Sequence, residues 1–190
     1  MPITTLDPTT ALVAVDLQAG IVAAPVTPIP SADVVARTAS LASAFRRHGL
    51  PVVLVHVTTS PDGADAVPGR TDAGSTRPGP RPAGFADIVP ELGEGIVVTK
   101  HNWGAFYGTD LDLQLRRRGV TQVVITGIAT SIGVESTARA AHEYGYNVTV
   151  AIDAVSDLDE VTHRNSIERI FPRLAETGTT DEILEVLAQR

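Results

Sequence analysis

A chain of 190 residues with a formal net charge of −7 and no cysteine is long enough to bury one sizeable core. The acidic balance argues against nonspecific attraction to nucleic acid or to an anionic membrane. The missing thiol excludes disulfides, thiolate metal sites and a cysteine nucleophile, and no stretch approaches the roughly 20 apolar residues of a membrane span.

The first residues, MPITTLDPTTALVAVDLQ, have neither a basic start nor an apolar signal core, so a cytoplasmic protein is the expectation. Within them ALVAVD (11–16) has the continuous apolar character of a strand buried on both faces. SADVVARTASLASAFRRHG (31–49) follows as a helix, with Ser31 as N-cap, an apolar stripe of Val34, Val35, Thr38, Leu41, Ala42 and Phe45, and Gly49 as stop. PVVLVHV (51–57) is a second buried strand.

Residues 61–84 break this rhythm. Ten of these 24 are Gly or Pro, which suits a lid, a binding loop or a solvated segment and no core element. GIVVTK (95–100) is the third strand, and TDLDLQLRRRG (109–119) a helix capped by Thr109 and stopped by Gly119. TQVVITG (121–127) is the fourth strand, followed by a tight turn and a helix from about Val134 to Tyr144. NVTVAID (147–153) is the fifth. The next helix, 157–171, carries Asp157 and Glu160 at capping-box spacing, and Thr179 and Glu182 repeat that spacing before the last helix. A short sixth strand is expected near 173–177.

Strands alternating with helices imply an α/β, single-domain, three-layer αβα, Rossmann-like fold with a mostly parallel sheet of five or six strands. Ligands of such sheets sit beyond the carboxyl ends of the strands. That rule selects Asp16, His56, Lys100, the turn at 128–133 and Asp153.

Each has an ordinary structural explanation as well. Asp16, at the end of a buried strand, is costly unless paired, and can equally anchor a βα junction. Lys100, beside Asn102, Trp103 and Phe106, suits a pocket with an aromatic wall or a lysine that snorkels to water. Gln18 can orient polar substrate atoms or sit on a loop surface. The turn, with small residues at 127, 129 and 133 before a helix N-terminus, suits anion or oxyanion binding, or is a tight connection. Capping and loop anchoring account for Asp153 and Asp157. The histidines at 48, 56, 101, 142 and 163 have no metal-ligand spacing, so no metal and no cofactor is expected, and His56 fits a satisfied core histidine. Ser131 and Ser136 have no evident base.

Three separated segments in order, VAVDLQ, TKHNWGAFYGTDLDLQLRRRGV and VVITGIATSIGVESTARAAHEYGYNVTVAIDAVSD, resemble the isochorismatase-like hydrolases, over nearly the whole chain. In most of that family an Asp, a Lys and a Cys form an amidase centre, with an oxyanion held beside a non-proline cis peptide. The resemblance assigns the Asp to Asp16, the Lys to Lys100, the cis peptide to Ile128–Ala129 and the Cys position to Gly133. A glycine removes the nucleophile, and the nicotinamidase metal motif is missing from VHVTTSPDG.

A minority of the family has Gly within an "IG" pair, as SIG has here. True isochorismatases are of this kind, and cleave a vinyl ether with a proton donor and water. The resemblance therefore implies a hydrolase of a small anionic metabolite, with Asp16, Lys100 and Gly133 at the catalytic centre. Gln18, Trp103, Phe106, Ile128 and Ala129 would surround the substrate. The alternative is a noncatalytic small-molecule-binding or interaction protein that has lost the nucleophile. The family also implies a homo-oligomer, with 61–84 closing a neighbour's pocket.

Overall fold

Period-two alternation within β1 (Thr10–Val15) sends Leu12 and Ala14 to one face of the sheet and Val13 and Val15 to the other. Both sets are buried, because helices cover both faces. The computed structural model describes residues 3–60, 62–65, 70–72 and 81–190. It has six strands: β1, β2 (Val52–Val57), β3 (Ile96–Lys100), β4 (Gln122–Ile128), β5 (Asn147–Ser156) and β6 (Glu176–Gly178), in the order β3-β2-β1-β4-β5-β6. Every pairing between them is parallel. Much of the 61–84 segment lies outside the described residues, so its expected role as a closing loop does too.

The helices are α1 (Ala19–Val22), α2 (Ser31–Arg47), α3 (Leu111–Arg116), α4 (Glu135–Glu143), α5 (Glu160–Asn165) and α6 (Thr180–Ala188). One core layer packs Val34, Leu41 and Phe45 of α2 and Ile183 and Leu187 of α6 on Leu12, Leu54 and Val124. The other packs Leu111, Leu115, Ala138, Ala141 and Phe171 on Val13, Val53, Val98 and Ile125. Each fully buried Val, Leu, Ile or Phe side chain among these contributes about 1.5–3 kcal/mol.

Helix ends depart from the sequence reading where a neighbouring group competes for the cap. Pro30 occupies the N-cap position of α2, and Ser31 Oγ instead donates to Val22 O at 2.7 Å. Thr109 lies one residue outside the cap of α3 but its Oγ1 still accepts from Leu111 N–H at 3.2 Å. Asp159, not Asp157, caps α5, because Asp157 is drawn to the turn after β4. The helix expected over 157–171 is α5 followed by a π-helical turn, Ser166–Ile170. The capping box of Thr179 and Glu182 forms as its spacing predicts.

The order of the strands reverses between β1 and β4. In an open parallel sheet the crevice at such a switch point is where ligands bind. Asp16 follows β1 directly, and the 128–133 turn follows β4. Gly127 permits the close approach of the two strands there: its φ is 126°, and a Cβ would fall 2.0 Å from Val15 O.

Candidate active site

Asp16 leaves β1 with a φ of 56°, a left-handed conformation that Asp tolerates better than most residues. Its N–H donates to Val55 O at 2.9 Å, so the residue is held by β2 as well as by its own strand. Lys100, the last residue of β3, reaches back across the sheet end, and its Nζ lies 2.8 Å from Asp16 Oδ2. Both residues are buried, at 6% and 1% exposure.

The lysine is fully engaged. Nζ also donates to Asn102 O at 3.1 Å and to Trp103 O at 2.6 Å. An ammonium has three N–H donors, and these three acceptors use them all. A substrate carboxylate therefore finds no free donor on Lys100.

The aspartate is the reverse case. Oδ2 accepts from Lys100, while Oδ1 is buried with no hydrogen-bond partner among the described residues. Burial pushes the Asp16 carboxyl up to about 6, against the lowering pull of Lys100 and, more weakly, of His56. A proton on this group belongs on Oδ1, since Oδ2 faces the ammonium.

Gly133 lies in a π-helical turn, Thr130–Val134, that precedes α4. A Cβ on it would sit 3.2 Å from Asp16 Oδ2, 3.2 Å from Val15 Cγ1 and 3.4 Å from Trp103 O. The missing side chain therefore points at the Asp16–Lys100 pair, and the surroundings leave little spare room for one. The Ile128–Ala129 peptide is cis. Asp157, almost wholly buried, accepts from Ser131 N–H at 2.6 Å and from Leu158 N–H at 2.7 Å. Behind the turn Thr130 Oγ1 pairs with His163 Nδ1 at 2.8 Å, and burial holds that imidazole below its ordinary range.

Thr137 links the turn to the 101–110 segment: its Oγ1 donates to Gly133 O at 2.6 Å and accepts from Ala105 N–H at 3.1 Å. The segment is thereby fixed over Lys100, and its carbonyls become the lysine's acceptors. Neither Thr137 nor the Asp157–Ser131 bond is expected from the sequence. A threonine one helical turn past a glycine is common, and only the fold brings Ala105 to it.

A cleft of about 840 Å³ opens beside these groups, lined by Asp16, Lys100, Trp103, Ile128, Ala129 and Gly133 among others. Its volume lies within the range of about 300–1,000 Å³ typical of small-molecule sites. Trp103 is 68% exposed and forms its rim.

Two expected lining residues are elsewhere. Phe106 is buried against Tyr144 and Tyr146, with ring centroids 5.3 and 6.0 Å away. The neighbouring Tyr107 lines the cleft in its place, because Gly104 packs on Ser136 and Ala105 N–H bonds Thr137. That contact turns residue 106 inward.

Gln18 does not line the cleft. Its Nε2 donates to Val57 O at 2.9 Å and Phe85 O at 3.1 Å, and its Oε1 accepts from Val57 N–H at 2.7 Å. It is a fully buried clamp. Gln18→Ala leaves these backbone groups without partners, so we expect a loss of about 2–4 kcal/mol in urea unfolding. A loss under about 0.5 kcal/mol would contradict the clamp.

Asp153 anchors α6 through Thr180 N–H at 2.7 Å and has no place in the cleft. His56 is half-buried with both ring nitrogens engaged, to Ala86 O and Thr99 Oγ1 at 2.8 Å each. Among the described residues no group of three or more His, Asp or Glu could hold a metal ion, and no helix is long and apolar enough to cross a membrane.

The isochorismatase domain model matches residues 10–182. The chain is similar to the isochorismatase family protein YecD of Escherichia coli O157:H7, 46% identical over 190 residues that cover 94% of this chain and 96% of that one. It is similar also to the isochorismatase family protein YwoC of Bacillus subtilis, 47% identical over 184 residues, 93% of each chain. The solved structure of an isochorismatase family protein from Burkholderia thailandensis superposes with a TM-score of 0.92 at 50% identity, covering 97% of this chain and 98% of that one. The chain belongs to the isochorismatase family of hydrolases.

Proposed function

We propose that this chain hydrolyses a small anionic metabolite of the isochorismate type, by proton donation from Asp16 and attack of water, with no covalent enzyme intermediate. The observation that carries this reading is the aspartate itself. Its Oδ2 is tied to Lys100, its Oδ1 has no hydrogen-bond partner among the described residues, and burial raises its pKa to about 6. A carboxyl poised near neutrality is suited to general acid catalysis. Gly133 supplies no nucleophile, which is compatible with a reaction that begins by protonation.

On a vinyl ether the proton from Oδ1 goes to the terminal methylene carbon, whose π electrons form the new C–H bond. The ether oxygen shares the positive charge that results. Water adds to the adjacent carbon, the one that bears the ether oxygen, and gives up a proton, which restores Asp16. The hemiketal hydroxyl then gives up its proton to the ether oxygen as the bond between that oxygen and the former vinyl carbon breaks, which releases a keto acid and an alcohol. Lys100 keeps its hydrogen bond to Oδ2 throughout and so holds the carboxyl in one orientation.

Arg81 lines the same cleft and is the reason to prefer an anionic substrate. Lys100 has no donor to spare, whereas among the described residues the Arg81 guanidinium has no hydrogen-bond or ion-pair partner. Guanidinium groups bind carboxylates in bidentate fashion. Thr59, also in the cleft, has a buried Oγ1 with no hydrogen-bond partner among the described residues, a second group available to polar substrate atoms.

The test is release of pyruvate from isochorismate by the purified protein. Absence of release from folded protein would remove this substrate from the proposal. The absence of a nucleophile at Gly133 favours a second reading, a small-molecule binder. A tight complex with an anionic ligand and no turnover of any vinyl ether would favour it. We extend the proposal to a homo-oligomer, which light scattering at the mass of a 19.9 kDa monomer would exclude.

A further inference from the structure

Residues 84–89 lie across the end of β1 and the start of α1. Ala19 N–H donates to Asp87 O, Gly20 N–H to Phe85 O, and Val89 N–H to Leu17 O. Gln18 bonds the Phe85 carbonyl a second time, and His56 bonds the Ala86 carbonyl. The backbone at Phe85 is therefore held from several sides, which fixes where its ring can go.

The ring lies directly on Gly20. A Cβ at residue 20 would fall 1.9 Å from Phe85 Cδ2 and 2.3 Å from Cε2, an overlap that no side chain other than glycine avoids. The guanidinium of Arg81 is 4.5 Å from the ring centroid. Gly20, Phe85 and Arg81 thus meet at one aromatic ring at the rim of the cleft, and Arg81 and Ile21, the neighbour of Gly20, line that cleft.

An aromatic ring holds a guanidinium differently from a carboxylate. It attracts the cation through its quadrupole and leaves the N–H edges unbonded. A carboxylate in that place would neutralise the charge and occupy the donors. A ring perch positions the cation while leaving it available to an incoming anion.

We propose that Gly20 and Phe85 are positioning residues that set the site's selectivity for carboxylates, by holding Arg81 at the cleft with its donors free. The proposal rests on the anionic-substrate reading above. Without the ring the long arginine side chain samples many rotamers, and ordering it opposes binding of the anion.

The experiment uses the chain's single tryptophan, Trp103, at the cleft rim as a fluorescent reporter. Two probes of the same shape are titrated: cyclohex-1-ene-1-carboxylate and its neutral carboxamide. The wild type is expected to bind the carboxylate the more tightly. Arg81→Gln should weaken carboxylate binding about tenfold and leave the amide unchanged. Phe85→Leu should weaken the carboxylate about threefold to fivefold, again without affecting the amide, whereas Phe85→Tyr, which keeps the ring, should retain wild-type selectivity. Melting temperatures of the variants exclude a general loss of structure as the cause.

Phe85→Leu binding the carboxylate as the wild type does, with Arg81→Gln still weakened, would overturn the perch and leave the anionic reading intact. A wild type with no preference for the carboxylate, or Arg81→Gln without effect on it, would overturn the anionic reading and the perch together.

Discussion

Asp16→Asn is expected to lower pyruvate release from isochorismate by roughly 10²–10⁴-fold, the usual contribution of a positioned general acid. The substitution isolates the proton. Asn has the size of Asp, tolerates the left-handed backbone that residue 16 adopts, and keeps an oxygen that can accept from Lys100. It cannot donate a proton to carbon. Binding of a carboxylate probe should survive, since the proposed anion receptor is Arg81. Release within about tenfold of wild type would sink Asp16 as the acid.

The same assignment predicts the pH profile. The working form of Asp16 is the protonated one, and its pKa is raised from 3.8 to about 6. The rate constant kcat/KM should therefore fall as pH rises above about 6, approaching tenfold per unit. A rate that rises through this range would mean that the carboxylate is the active form. Asp16 would then be a base that activates water.

Lys100→Met is expected to destabilise the protein in a pH-dependent way. The methionine fills much of the volume of the buried lysine stem, but it leaves Asp16 buried without a cation and leaves Asn102 O and Trp103 O without their donor. Removing one member of a buried pair costs about 3–5 kcal/mol when the other must remain charged. Asp16 can escape that cost by taking a proton.

The direction follows from linkage. Lys100 lowers the Asp16 pKa, so its removal raises the folded-state value above 6 while the unfolded value stays at 3.8. Between these values the native state binds more protons than the unfolded state, and stability falls as pH rises. In the wild type the fall ends near 6, and in the variant it continues higher. Urea unfolding should accordingly show a larger difference between variant and wild type at about pH 8 than at about pH 5. An equal loss at both would mean that the charge of Asp16 does not depend on Lys100.

The features legible in the sequence are those that depend on neighbours along the chain. Continuous apolar runs such as ALVAVD and VVITGI, alternating with amphipathic segments, imply a parallel sheet covered on both faces, and that is the sheet observed. The carboxyl-end rule points to Asp16, His56, Lys100, the 128–133 turn and Asp153; Asp16, Lys100 and the turn line one cleft, whereas His56 and Asp153 do not. These positions follow from which strand a residue ends, which local pattern determines.

The direction of each side chain follows from what lies across the fold from it. Phe106 and Tyr107 are adjacent, and the contact of Gly104 with Ser136, with the Ala105–Thr137 bond, decides which one faces the cleft. Gln18 is two residues from Asp16, yet the backbone of Val57 and Phe85 claims its amide. Arg81 falls within a segment that composition alone marks as a loop, and a ring stacked on Gly20 holds it at the site.

The charge of Lys100 was readable from the chain, but the saturation of its donors was not, because Asp16 is 84 residues away in sequence and 2.8 Å away in space. Residue type and strand position are local properties of a chain. Which donors are spent, which acceptor is left alone and which ring faces the substrate depend on packing between distant segments, and only the tertiary structure decided them.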